Sequence, residues 1–447
     1  MTARARRLAA LACLTAAALA TACTTEDSGA GSDDAPDDLP VAEDATTGWD
    51  PDAIDVDTSG LECTGEAADP DRGITDTSIT VGSLTTETGP TTALWGDAVA
   101  GAQARIERAN AEGGVHGRTI DHAVQVDDGL DTNRSVDGAR SLAERDQVFA
   151  VVPAISALDA FADPLCENLV PYFGWGFTQA YCGRAVAFGF NGCLTPDDDE
   201  DYPSSAGPTF SALLADGETD GTIALVGNES AAARQGMENI AGVLEDAGLD
   251  VVGQLAVLPD NQALADASPY VQELMTAADG EPPAGVWYIA DFSNTSTMTQ
   301  AMTAAGYEGI QFNAVGYDPR LAEFEAFHGS ITTLQWLPFE ATDNEFVEQM
   351  TADLDEYAPD TAHGMQAAAG YISADFFIAA LEAAGPDLTV DTFLETLNGG
   401  DFSYDPEGLF GGSHWPENHV IATPCGLMVR NDGGVYETVV PLSCAAL

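Results

Sequence analysis

His414 and His419 stand five residues apart in a Gly- and Pro-containing stretch, a spacing open to two ligands of one metal ion. No third ligand stands nearby, so the pair is not read as a metal site. Oxygen donors cluster twice. Asp55, Asp57, Ser59, Gly60 and Glu66 fall at positions 1, 3, 5, 6 and 12 of a calcium-loop pattern. Pro51 and Thr64-Gly65 deny that loop its flanking helices, and its usually apolar eighth position is Glu62. The run Asp197-Asp198-Asp199-Glu200-Asp201 has the charge to attract a divalent cation. Both sets read as solvated acidic chain. G-x-S-x-G, H-E-x-x-H, the P-loop and G-x-G-x-x-G are absent. No catalytic signature stands out, and no metal or cofactor is assigned.

Composition narrows the partners. The 447 residues include 73 acidic side chains against 14 basic ones, every basic one an Arg, for a formal charge of -59. Such a chain repels nucleic acid and anionic headgroups. A hydrophobic content of 45% still supports folded cores, and the length calls for more than one.

Residues 1–23 read as an export signal. Arg4, Arg6 and Arg7 precede an apolar stretch, Leu8 to Ala20, too short to span a bilayer. Its end, Ala20-Thr21-Ala22-Cys23, resembles the lipobox of bacterial lipoproteins and implies lipid on Cys23. Residues 24–72 hold sixteen acids and one Arg among Gly, Ser, Pro and Thr, and read as a disordered acidic tether. The expected location is the outer face of the cell membrane, held by N-terminal lipid alone.

Six cysteines remain beyond Cys23: Cys63, Cys166, Cys182, Cys193, Cys425 and Cys444. An even number in an exported chain points to three disulfides. Cys425 and Cys444 flank a hairpin with the turn Asn431-Asp432-Gly433-Gly434 and are a candidate pair. The other pairings stay open.

From Gly73 onward short β-rich runs alternate with Ala-rich helical stretches. Ile79–Gly82, Ile120–Val126, Val148–Val152 and Val170–Trp175 read as strands, with helices at Trp95–Ala111, Asn133–Arg145 and Asp159–Asn168. Ile223–Val226, Val251–Val257, Val286–Ile289 and Ile310–Val315 repeat the rhythm. Continuous apolar strands between helices mean parallel sheets covered on both faces, in two α/β lobes. A long Ala-rich helix at His363–Ala384 follows in the last third.

The stretches ITDTSITVGSLTTETGP, GDAVAGAQARIERANAEGGVHGRTI, DDGLDTNRSVDGARSLAERDQVFAVVP and LVPYFGWG resemble the solute-binding lipoproteins of ABC importers, in the branched-chain amino acid (leucine/isoleucine/valine-binding) class. The resemblance implies a type I periplasmic-binding-protein fold, two Rossmann-like lobes joined by a three-strand hinge. It places lobe 1 at 73–205 plus 333–411 and lobe 2 at 206–332 plus 412–447. It further implies a solute held in the cleft by Trp95, by Ser156 and Ala157, by Trp175, Gly176 and Thr178, and by Tyr288, Asp291 and Asp318. Of these, Asp318 and Asp291 are the acids for a solute ammonium group. Two departures mark the pattern. The carboxylate loop offers one hydroxyl, Ser156, and Gln235-Gly236 stands where the family has Tyr-Gly. An amino acid or a related amide or aromatic compound is the expected solute, ABC permease subunits the expected partner, and a monomer the expected state. A sensor of the same fold, signalling to a membrane partner, is the alternative; an exported hydrolase is disfavoured by the missing triad.

Overall fold

The computed structural model describes residues 45–46, 48–88, 96–194, 206–217, 221–229, 231–259, 262–322, 324–406 and 408–445. The export signal, Cys23, Trp95 and the run Asp197–Asp201 lie outside the described residues.

In chain order the elements are β1 (Ala45–Thr46), β2 (Ser78–Thr85), α1 (Asp97–Ala111), β3 (Thr119–Asp127), α2 (Thr132–Arg140), β4 (Ala150–Ile155), α3 (Ala162–Glu167), β5 (Tyr172–Gly174) and β6 (Ala187–Gly189). Then come α4 (Ala206–Asp216), β7 (Thr222–Asn228), α5 (Ala231–Asp246), β8 (Asp250–Leu258), α6 (Ser268–Leu274), β9 (Gly285–Ile289), α7 (Phe292–Ala304), β10 (Ile310–Asn313), α8 (Pro319–Ala322) and β11 (Ile331–Leu334). The last are α9 (Glu345–Tyr357), α10 (Met365–Ala384), α11 (Val390–Leu397), β12 (Phe402–Tyr404), β13 (Ser413–Trp415), β14 (Cys425–Asp432) and β15 (Val435–Ala445).

Strands covered by helices on both faces can carry apolar runs along their length, as β4 and the middle of β7 do. β4 is buried at every residue and β7 at all but its two ends. β3 lies at a sheet edge and exposes alternate residues from Thr119 to Gln125. Helix starts are fixed by short polar side chains. Asp131 accepts from the backbone N–H groups of Asn133 and Arg134 to start α2, and Asp291 accepts from Asn294 to start α7.

The first sheet has the order β3-β2-β4-β5-β6, all parallel. In the second, β8-β7-β9-β10-β11 are parallel, and β14, β15 and β1 extend the sheet antiparallel. Each lobe thus repeats one doubly wound order, with its second strand outermost and the first, third, fourth and fifth following. The chain leaves the second sheet after Leu334 and re-enters it at Cys425. Residues 333–334, expected in lobe 1, therefore belong to the lobe 2 sheet. The stretch before Cys425, expected in lobe 2, packs on lobe 1 instead: β12 pairs β13, and Gly183 donates its N–H to His419 O.

The core of lobe 1 is built around α10, which is buried without a break from Met365 to Ala374. It is long and apolar enough to cross a membrane, but it is a core helix here. It meets α1 at two glycines. A Cβ on Gly101 would lie 2.0 Å from Ala367 O, and one on Gly370 would lie 1.8 Å from Ala98 O. The two backbones therefore touch, and no larger residue fits at either place. In lobe 2, Phe210 packs on Trp287 and Phe312 over one face of the sheet.

The disulfides pair Cys63 with Cys166, Cys182 with Cys193, and Cys425 with Cys444. The last is the candidate read from the hairpin, and its two cysteines are direct cross-strand partners. The first corrects the reading of residues 24–72 as one disordered tether, because the part from 48 onward is packed on lobe 1. Trp49 Nε1 donates to Gly412 O, Ala67 N to Asp391 Oδ1 and Val390 N to Pro70 O. Arg72, only 6% exposed, donates to Val148 O at 2.9 Å, Asn168 O at 2.7 Å and Leu169 O at 2.8 Å. Acidic composition alone misreads this stretch, because covalent and cationic clamps do the work that apolar burial does elsewhere. Arg72→Ala strips the donor from three carbonyls and should cost about 3 kcal/mol of stability, read from the urea midpoint. A loss below about 0.5 kcal/mol would mean that 48–72 lies loosely on the lobe.

Candidate solute cleft

Parallel strands end at one common edge, and ligands of open α/β sheets sit beyond it. In lobe 1 three neighbouring strands, β3, β2 and β4, run out into Asp128, Thr86 and Ser156. Asp128 is fully buried, and its carboxylate accepts from Thr86 Oγ1 at 2.8 Å, Leu130 N at 3.1 Å and Ser156 Oγ. Burial pushes the Asp128 carboxyl up, against these three donors. Thr86 Oγ1 also accepts the Ala157 N–H at 3.2 Å, and Ser156 Oγ the Leu158 N–H at 2.9 Å. The polar groups of Ser156 and Ala157 are thus engaged in tying three strand ends together.

β5 runs out into Trp175-Gly176-Phe177-Thr178. The Trp175 ring lies 4.8 Å from Phe177 and edge-on to Trp336 at 5.4 Å, and its Nε1 donates to Gln335 Oε1 at 3.2 Å. Gln335 and Trp336 follow β11, so this aromatic wall stands where the chain crosses between lobes. Gly176 donates its N–H to Asn191 Oδ1 at 2.9 Å, and a Cβ there would fall 1.8 Å from Gly192 O. Gly176 therefore packs against backbone. The Thr178 hydroxyl oxygen is buried without a hydrogen-bond partner.

In lobe 2 Asp291 follows β9. Its carboxylate accepts from Asn294 N at 3.0 Å, Asn294 Nδ2 at 2.7 Å and Asn228 Nδ2 at 3.4 Å, while burial pushes it up. Tyr288 is a correction. It is fully buried among Val226, Met298 and Met302, and its hydroxyl donates to Gln311 Oε1 at 2.8 Å. It still pairs with Asn313 inside the sheet, so its ring enters the core under α7 and not the cleft. Asp318 follows β10 and is 4% exposed. Arg320 grips both of its oxygens, Nε to Oδ1 at 2.8 Å and a terminal nitrogen to Oδ2 at 2.6 Å. The same terminal nitrogen bonds Asp97 Oδ2, on the first residue of α1 in lobe 1. Tyr317, beside Asp318, donates to Glu340 Oε2 at 2.7 Å, and its carbonyl accepts the Met365 N–H of α10 at 2.9 Å. The carboxyl-end loops of the two sheets therefore meet here.

The candidate metal histidines take other roles. The His419 ring is fully buried, with its nitrogens 2.9 Å from Ala187 O and 2.6 Å from Asn398 Oδ1, and burial pushes its pKa down to about 3. His414 packs edge-on against Trp49. Among the described residues no His, Cys, Asp and Glu cluster is arranged to hold a metal ion.

A family model described as periplasmic binding protein matches residues 78–434. The chain belongs to the periplasmic binding protein family. Solved structures share its fold. The fatty acid ABC transporter substrate-binding protein of Thermomonospora curvata is 18% identical, with 83% of this chain and 93% of that one covered, at a TM-score of 0.68. A branched chain amino acid ABC transporter of Thermus thermophilus with bound valine is 15% identical, with 83% and 97% covered, at 0.65. A solute binding protein of R. palustris in complex with benzoate is 16% identical, with 82% and 97% covered, at 0.62. No curated protein matches.

Several residues that meet at these strand ends were not read from sequence. Asp128 lies inside the stretch DDGLD, whose acids gave no sign of which would be buried. Arg320 stands two residues after Asp318, but its second partner, Asp97, is 223 residues away. Trp336 and Gln335 signal only as apolar and polar residues in a strand.

Asp128 carries a pH prediction. Its raised folded-state pKa means that the fold favours the protonated form. Its contribution to stability is then largest below the ordinary carboxylate value of 3.8 and falls as pH rises from there through the raised value. The stability of the native chain relative to Asp128→Asn should fall across that window in urea titrations at successive pH. A difference that stays flat, or rises, would refute the burial argument.

Proposed function

We propose that this protein captures a small solute between its lobes and delivers it to the permease of an ABC importer. The observation that carries this reading is the meeting of the two carboxyl-end edges, joined through Arg320 and the loop 316–320. Two sheets of one topology, turned edge to edge and linked by chain crossings, enclose a solute by closing and release it by opening. Membership of the periplasmic binding protein family and the shared fold of importer proteins support it.

Within this reading Trp175 and Phe177 form an apolar wall, Thr178 supplies the hydroxyl, and Trp95 is the further aromatic that the resemblance assigns to the solute. Export and lipid attachment at Cys23 would hold the chain at the outer face of the membrane, beside its permease. The chain acts as a monomeric receptor and makes no covalent bond to the solute.

Mild denaturation of the purified protein followed by mass spectrometry should release a defined small molecule, and adding it back should raise the melting temperature. Thr178→Val should weaken binding of that molecule about tenfold while leaving the apo melting temperature within a few degrees, as loss of one buried hydrogen bond predicts. Equal affinity in the variant would remove Thr178 from the cleft. Cys23→Ser should move the protein from the membrane fraction to the medium; retention with the membrane would refute lipid attachment.

A further inference from the structure

Arg320 is held from both lobes. Its guanidinium takes both oxygens of buried Asp318 and reaches on to Asp97, so one cation joins two carboxylates across the lobe boundary. The loop that carries it is fixed. Tyr436 Oη contacts Gly316 O at 2.6 Å and both backbone groups of Asp318, O at 2.9 Å and N at 3.0 Å. Gly364, at the start of α10, sits so close that a Cβ there would lie 2.9 Å from Asp318 Oδ2. The planar fork of an Arg matches such a carboxylate in a way a rotating ammonium does not.

A solute amine entering the cleft must find a carboxylate with open acceptor positions. Among the described residues at the strand ends, Glu87, Asp127, Asp128, Asp291 and Glu340 take donors from their own chain, namely Thr85, the Glu87, Thr88 and Gly129 N–H groups, Thr86 and Ser156, Asn294, and Tyr317. Asp318 is the most deeply buried of the acids that face a cation there, and its cation is already present.

We propose that Arg320 sets the class of solute. Its guanidinium is a built-in cation between Asp318 and Asp97, and the cleft accepts solutes that carry no ammonium group, held by their apolar bodies against Trp175 and by an uncharged or acceptor group at Thr178. This rests on the reading of the cleft as a solute site. Removing the guanidinium leaves two carboxylates facing each other with nothing between them, a place suited to an external cation.

The test uses the full chain in two arms. In the first, calorimetric titration compares 3-phenylpropanamide and 3-phenylpropanoate with phenethylamine and phenylalanine. The amine-free members should bind the native protein at least tenfold more tightly. In the second, methylguanidinium at millimolar concentration should raise the melting temperature of Arg320→Ala by several degrees and leave that of the native protein unchanged. Should Arg320→Ala not fold, Arg320→Gln gives the same reading. Native protein that binds phenethylamine or phenylalanine as tightly as the amine-free pair overturns the proposal, and so does a variant indifferent to methylguanidinium. If none of the four compounds binds and no solute co-purifies, solute capture itself fails, while the methylguanidinium response still decides whether Arg320 fills a cation place.

Discussion

In a parallel sheet every strand runs out at the same edge, and the whole candidate site hangs on that constraint. Thr86, Asp128, Ser156 and Trp175 come from separate parts of the chain, yet each is the first or nearly the first residue beyond a strand of one sheet. In the other sheet Asp291 is the second residue beyond β9, and Asp318 lies five residues beyond β10. The helices behind the sheets hold these ends still. In lobe 1, α10 packs backbone to backbone against α1 through Gly101 and Gly370. The polar groups at the strand ends then have fixed partners, and a fixed set of partners is what lets a cleft discriminate.

Electrostatics in this cleft is a local matter. The chain carries 73 acids, but those at the strand ends are individually compensated by hydroxyls, amides or one guanidinium. Surface acids far from the cleft are screened by salt within roughly 10 Å and contribute to solubility more than to recognition. Asp128 and Asp318 are buried and Asp291 half-buried, each within its own set of donors. Asp318 is the sharpest case, since its partner also belongs to the contact between lobes.

Much of the fold was legible because it depends on patterns that are local in sequence. β4 and β7 could be read from unbroken apolar runs, α10 from its Ala-rich length, and the Cys425–Cys444 pair from the hairpin between them. Tyr288 misled for a physical reason: an aromatic near a strand end looks like a cleft residue, but it is still inside the hydrogen-bonded ladder, where side chains go to the core. The packing of 48–72 was hidden because its anchors are a cysteine whose partner lies 103 residues on and an arginine that finds three carbonyls. Arg320 was hidden in the same way. Position within the loop was readable, but the pairing across lobes was not.

The two-residue strand β1 has a mechanical consequence. It pairs with β15 at the outer edge of the lobe 2 sheet, through Ala45 with Ala445 and Thr46 with Cys444. Three residues later, Trp49 is hydrogen-bonded to Gly412 on lobe 1. The N-terminal segment is therefore a further span between the lobes, placed away from the internal crossings. Three Cα steps reach at most about 11 Å, so Thr46 and Trp49 cannot stand farther apart than that while both lobe contacts hold. β1 and Trp49 thus make a short tie between the lobes, separate from the crossings that follow Leu334 and precede Cys425.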